Sequence, residues 1–231
     1  MEITKKNDSL TRIAKFLMLH GSFMNNLGLI NGKMGIIIFF SHLSRYTGKK
    51  IFEDFAGEMI DEIYKEIHDH YPSDFENGLS GIAWGMEYLI QNQFVEADAN
   101  AVLEDLDKMI LEWDVRKIRD SSLETGLEGI AHYVISRFKG NSKEKVTIPK
   151  DYISDLIISL KENKDSKNSQ MLFILSEILK GGLINVNDPL LTNLISKVKF
   201  HPAKIFIDTR PLGIGNNGYA GVGLKLIFSG E

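Results

Sequence analysis

Three groups of residues in this 231-residue chain have types and spacings that could do chemistry. The first is a set of carboxylates: Asp74, Glu76, Glu87 and Glu128. Two carboxylates flanking a sugar bond cleave it, with retention when ~5–5.5 Å apart and inversion when ~6.5–9.5 Å apart. Asp74 and Glu76 stand in a loop that leads into an apolar run, and Glu87 is a lone charge inside that run, IAWGMEYLI. A partner such as Arg45 or Lys33 would make Glu87 structural instead. The second group is histidine. His132 sits in another apolar run, where a hydrogen-bonded core role competes with a ligand role. His68-x-His70 has metal-ligand spacing but also suits the positive charge favoured at a helix C-terminus. The third group is polar residues that directly precede a glycine, Asn31, Asn77, Thr125 and Asn217, together with Trp84 downstream of Asn77. Side-chain oxygens of Asn and Thr cap helix N-termini, and Thr125 with Glu128 spells a capping box. With His132 these five residues are the candidate ligand-binding set, and Asp74, Glu76 and Glu87 the candidate catalytic set. No cysteine is present, so no thiolate can hold a metal. No metal site and no cofactor is expected.

What positions these residues is a repeat. Polar–Gly–x–x–Gly followed by an apolar helical run occurs as NGKMGIIIFF from Asn31, NGLSGIAWGMEYL from Asn77, TGLEGIAHYVI from Thr125 and NGYAGVGLKLIF from Asn217. The first glycines stand at 32, 78, 126 and 218, so the gaps are 46, 48 and 92, the last being twice the first. A fifth copy is due near 172, where Asn168–Ser169–Gln170 precedes MLFILSEIL without the glycines. A constant period of this length marks a stacked supersecondary unit.

Each unit reads as two helices. Phe52–His68 carries apolar residues at 52, 55, 56, 59, 60, 63, 64 and 67, the stripe of a half-exposed helix. Leu79–Ile90 is apolar nearly all round, as a helix surrounded by neighbours is. The other outer helices are expected over Leu10–Leu19 with a Ser9 cap, Ala99–Trp113, Asp151–Leu160, and from a cap-and-proline start at Asp188–Pro189 to Val198. The other inner helices are expected over Lys33–Tyr46, Gly126–Phe138 and Ser169–Leu179, and from Gly218 onward. Lys139–Lys150 reads as a solvated connection and His201–Ile214 as an irregular excursion. The fold class is therefore all-α, an α/α toroid or incomplete barrel of about five hairpins, in one domain over 1–231. Glycine inside a helix costs roughly 0.5–1 kcal/mol against alanine. Two per copy on one helix face imply close packing of backbone or, at an inner rim, of a ligand.

Composition sets further bounds. A net charge of −4 and a sequence pI of 5.9 give no general attraction to nucleic acid or anionic membrane. The longest apolar run, Met34–Phe40, is far short of the ~20 residues that span a bilayer. No secretory signal opens the chain, and cysteine-free composition suits a reducing compartment. A cytoplasmic protein with neither nucleic-acid nor membrane partner is expected. Gly213-x-Gly215-x-x-Gly218 matches a dinucleotide fingerprint by letters, but no strand precedes it and it overlaps the inner-helix phrase.

The four phrases resemble the inner-helix openings of the lanthionine synthetase C-like family. The resemblance implies an α/α toroid with Gly-x-x-Gly at the start of each inner helix, seven hairpins in the family against about five here. It also implies peptide cyclisation by addition of a cysteine thiol to dehydroalanine or dehydrobutyrine, on a zinc ion held by two cysteines and a histidine. The family places those ligands as Trp-Cys-x-Gly and Cys-His-Gly, whereas here Asn31, Asn77, Thr125 and Asn217 precede the first glycines. Three readings follow. The chain is a non-catalytic member that binds a peptide or small anionic ligand at the inner rim, where helix N-termini offer N–H groups, as an accessory to peptide modification. Alternatively it is a glycoside-processing α/α-barrel enzyme, or a purely structural interaction module.

Overall fold

The computed structural model describes residues 2–68, 70–140, 148–163, 169–181, 189–200 and 210–229. Among them every regular element is helical, and the order is α1 Glu2–His20, a short 3-10 turn Gly21–Phe23, α2 Lys33–Thr47, α3 Lys50–Glu66, α4 Leu79–Gln91, α5 Ala99–Leu111, a second 3-10 turn Val115–Lys117, α6 Leu127–Gly140, α7 Lys150–Glu162, α8 Ser169–Leu179, α9 Leu190–Ser196 and α10 Tyr219–Phe228. The fold class is all-α, built from inner and outer helices paired in the manner of an α/α toroid.

The chain forms two compact units: Met1–His68 with Pro189–Glu231, and Asp69–Asp188. In the first, α2 packs against α3 on one side and α10 on the other, while α1 and α9 pack on α10. The sequence explains the order. Residues 34–40 of α2, MGIIIFF, are wholly enclosed, whereas α3 buries only Ala56, Met59 and Ile63 along one stripe. In the second unit α4 packs on α5 and α6, and α6 on α7 and α8. There Leu127, Ile130, Leu156, Leu160 and Leu175 form a continuous apolar core. Burying such a side chain stabilises by about 1.5–3 kcal/mol, so these seams hold the hairpins together.

Several boundaries differ from expectation. α1 begins at Glu2, and Ser9 lies inside it, because nothing between residues 2 and 10 breaks the helix and its buried stripe is Leu10, Ile13, Ala14 and Leu17. α3 ends at Glu66, where the N–H of Ile67 closes on Ile63, so His68 and His70 lie beyond the last turn. α5 stops at Leu111, two residues early. α9 is only Leu190–Ser196, and Pro189 is its N-cap rather than its first helical residue. Gly48 ends α2, with φ +68° and its N–H bonded to the Ser44 carbonyl. The middle of the 139–150 connection, Asn168, Gly182, Asp188 and residues 201–209 of the excursion lie outside the described residues.

Candidate functional site

The glycine phrases are closures of short loops. In the second unit the leading N–H groups of α4 bond to the loop that precedes it, Leu79 to the Pro72 carbonyl at 2.7 Å and Ser80 to that of Ser73 at 3.4 Å. α6 opens the same way, with Leu127 N–H on the Asp120 carbonyl at 3.0 Å. In the first unit Lys33 and Met34 bond to the carbonyls of Asn26 and Leu27, and Tyr219 and Ala220 to those of Pro211 and Leu212. The N-terminal donors are thus satisfied by main-chain carbonyls seven or eight residues back. Two expectations fall with this. Gly32, Gly78 and Gly218 are the N-caps of α2, α4 and α10 and make no side-chain cap bond, so Asn31, Asn77 and Asn217 stand one residue too early to cap. α6 likewise starts at Leu127, which puts Thr125 and Glu128 out of capping-box register. The leading N–H groups of α2, α4, α6 and α10 are also not free to meet an anion.

The same geometry gives the glycines their role. A Cβ on Gly78 would lie 2.3 Å from the Pro72 carbonyl oxygen, and one on Gly126 would lie 2.4 Å from that of Asp120. A Cβ on Gly129 would meet both the Leu123 carbonyl and the Cβ of Phe75 at 2.4 Å. Neighbouring loops also pair. The Glu124 carbonyl accepts from the N–H groups of Phe75 and Glu76 at 3.0 and 2.8 Å. In the first unit the Ile30 carbonyl accepts from Gly215 at 2.8 Å. In each pair the accepting carbonyl lies two residues before the first glycine of its own phrase and a donor lies three residues before the first glycine of the other. The last phrase therefore docks on the first as the second docks on the third.

The candidate residues sit in and around these loops. Asp74 uses Oδ1 to accept the Asn77 N–H at 2.7 Å, bracing its own loop. Thr125 donates its hydroxyl to Asp120 Oδ2 at 2.5 Å, while Asp120 Oδ1 accepts the Ser122 N–H at 2.8 Å. The Thr125 hydroxyl, then the Ser122 N–H, hold the Asp120 carboxyl below its usual range. Asn217 has φ +58°, a left-handed backbone that Asn tolerates. Its Oδ1 accepts from Lys199 N at 2.5 Å and its carbonyl from Arg210 at 3.1 Å. Asn31, Glu76 and Asn77 are half-buried at the loop tips and Thr125 is exposed. His132 is half-buried, with Nε2 3.9 Å from Glu128 and its ring 6.3 Å from that of Phe75. Trp84 is enclosed, 2% exposed, stacked on Tyr88 at 5.3 Å and edge-on to Phe75 at 6.0 Å.

Glu87 lies apart from Asp74 and Glu76 in its surroundings. It is fully buried, and its partner is neither Arg45 nor Lys33 but Arg137 of α6, Nη1 to Oε2 at 2.9 Å. Arg137 also bonds Asp107 and Asn100 of α5, and the Tyr133 hydroxyl donates to Asp107. Burial would lower the Arg137 pKa, but the bonds to Asp107 and Glu87 hold it raised. Lys33, also buried, spans to Glu62 and Glu66 of α3 at 2.9 and 2.7 Å. Asp107 and Arg137 are absent from the candidates above, yet the chain carries a signal for both. Asp107 falls at i+4 of the stripe 103, 106, 107, 110, and Arg137 at i+7 of 130, 133, 134, 137, both among buried residues. A charge on an apolar stripe implies a buried partner.

With fold and loops in hand, the class is that of α/α proteins whose inner helices open on paired glycines. Residues 24–179 match the sequence profile described as Lanthionine synthetase C-like protein. That is more than half of the chain, and the chain belongs to this family. No curated protein and no solved structure matches it. The zinc centre implied by the family does not fit these residues. The chain has no thiolate donor, and among the described residues no three His, Cys, Asp or Glu side chains are grouped to hold a metal. Among the described residues no helix is long and apolar enough to cross a membrane.

Proposed function

We propose that this chain is a non-catalytic member of the lanthionine synthetase C-like family that holds a peptide against the loops opening its inner helices, as an accessory to cytoplasmic peptide modification. The observation that carries this reading is the pairing of retained glycine loops with a complete lack of cysteine: the scaffold persists without the thiolates that zinc-dependent thiol activation requires. A peptide suits the loops better than a small anion does, since the leading helix donors are already bonded to loop carbonyls. The openings of α4 and α6 carry Asp74, Glu76, Asp120, Glu124 and Glu128, and residues 72–81 and 120–130 contain no lysine or arginine. That charge favours a peptide presenting basic residues. A glycosidase-type carboxylate pair gains no support, because Asp74 braces its own loop and Glu87 is sealed in an ion cluster.

The test uses a fluorescein-labelled peptide with a basic segment, a dehydroalanine and one cysteine. Mixed with the purified chain, it should show raised anisotropy that falls with added salt, while its thiol stays open to alkylation with or without added zinc. Loss of the thiol through ring formation would overturn the non-catalytic reading. Unchanged anisotropy at saturating protein would overturn the peptide reading.

A further inference from the structure

Among the described residues four charged side chains are buried, and three of them, Glu87, Asp107 and Arg137, meet inside the second unit. One guanidinium faces two carboxylates, with side chains 0%, 1% and 2% exposed for Arg137, Glu87 and Asp107. With both acids ionised, the cluster holds one negative charge in excess. The two acids are not equivalent. Asp107 accepts two guanidinium bonds, Nε to Oδ1 at 3.2 Å and Nη2 to Oδ2 at 2.9 Å, and the Tyr133 hydroxyl as well. Glu87 accepts one guanidinium bond at Oε2, and its Oε1 accepts the neutral amide of Gln91 at 2.9 Å. Asp107 is the better-stabilised anion, so the excess charge falls on Glu87.

We propose that this cluster is a pH-sensitive clasp: on mild acidification it takes up one proton from solvent at Glu87 Oε1, and the joined helices α4, α5 and α6 gain stability as it does. Oε2 keeps its bond from Arg137. Oε1 faces the Gln91 amide, which turns its oxygen to accept the new O–H and gives up its present bond to the Ser136 carbonyl. The charged and titratable groups around Glu87 are Asp107 from α5 and Arg137 and Tyr133 from α6, with the phenol held neutral by burial and by the Asp107 charge. Burial pushes the Glu87 carboxyl up from its ordinary 4.5, against the downward pull of Gln91 and Arg137. A carboxyl that binds its proton more readily folded than unfolded adds stability as pH falls through the window above 4.5. That is the reverse of a salt-bridged acid with a depressed pKa.

The test follows thermal unfolding of the full chain and of Glu87→Gln from about pH 8 to about pH 4, past the ordinary 4.5 of a glutamate. The neutral isostere should melt several degrees higher than the parent at the alkaline end, and the gap should close toward the acid end. A gap of fixed size across the range overturns the proposal. Titrating groups elsewhere are common to both proteins and cancel in the difference. Should the variant pack differently, infrared titration of the parent reads the same event. A protonated-carboxyl stretch should grow in with a midpoint above that of the exposed acids and be missing in Glu87→Gln. Asp107→Asn, which leaves Arg137 to Glu87 alone, should move that midpoint down. A stretch that titrates with the exposed acids, or that survives in Glu87→Gln, overturns the clasp.

Discussion

At the scale of single residues the glycines divide by what surrounds them. Gly126 closes its loop so tightly that an added Cβ would lie 2.4 Å from a main-chain oxygen, which cannot move without opening the turn. Gly126→Ala should therefore lower stability by roughly 1–3 kcal/mol, the usual cost of overpacking. Gly57, mid-helix in α3 and exposed, has nothing within 4 Å of where an added methyl would sit, so Gly57→Ala should raise stability by about 0.4–1 kcal/mol. Urea unfolding of the two variants reads both, and the same sign for both would sink the packing account of the motif. Asp74→Ala should cost about 1 kcal/mol through the lost bond to the Asn77 N–H, again read by urea unfolding. The carbonyls that accept the inner-helix N–H groups could not be read from the chain. Asn31, Asn77, Thr125 and Asn217 have the composition of caps, but the turn places glycine in that position. A one-residue shift is invisible to residue preference, since only the fold of the loop decides which residue leaves the helix.

At the scale of elements the period of apolar residues carried most of the architecture. α2 and α4 lie almost where their runs predict, because a wholly apolar run has one way to be buried, and α8 does so with a single buried stripe, Met171, Ile174, Leu175 and Ile178, and an exposed Phe173. Ends were less legible. α1 and α3 each extend or stop according to main-chain bonding that polar residues neither forbid nor require. The cluster joining α4, α5 and α6 was half legible: Glu87 stood out as a charge in an apolar helix, whereas its partner Arg137 is set by which inner helix lies alongside. A buried ion group of this kind is costly to break from one side. Arg137→Met should destabilise by roughly 3–5 kcal/mol, because it leaves Glu87 and Asp107 enclosed without the guanidinium that both of them bind. Adding Glu87→Met to that variant should restore part of the loss, by removing one of the two stranded charges. A double variant no more stable than Arg137→Met in chemical denaturation would show that the arginine acts through packing alone.

At the scale of the whole molecule the two compact units carry titrating groups of opposite sense. In the first, His42 of α2 lies edge-on to Phe228 of α10, ring centroids 4.9 Å apart. Burial, and then the charge of Arg45, hold its pKa at about 4, against 6.5 for an ordinary histidine. The unfolded chain therefore binds this proton more readily than the folded one. The His42 contribution is complete above pH 6.5 and is lost as pH falls toward 4, a change of up to about 3 kcal/mol. In the second unit the Glu87 clasp moves the other way over the acidic part of the same range. Hydrogen exchange at a series of pH values, corrected for the intrinsic rate of each amide, separates the two. On acidification the amides of α2 and α10 should lose protection while those of α4 and α6 gain it, since sub-global openings report local stability. His42→Leu should flatten the first trend without touching the second, and Glu87→Gln should do the reverse. If both sets of amides move together in every variant, the units open as one and neither group acts locally.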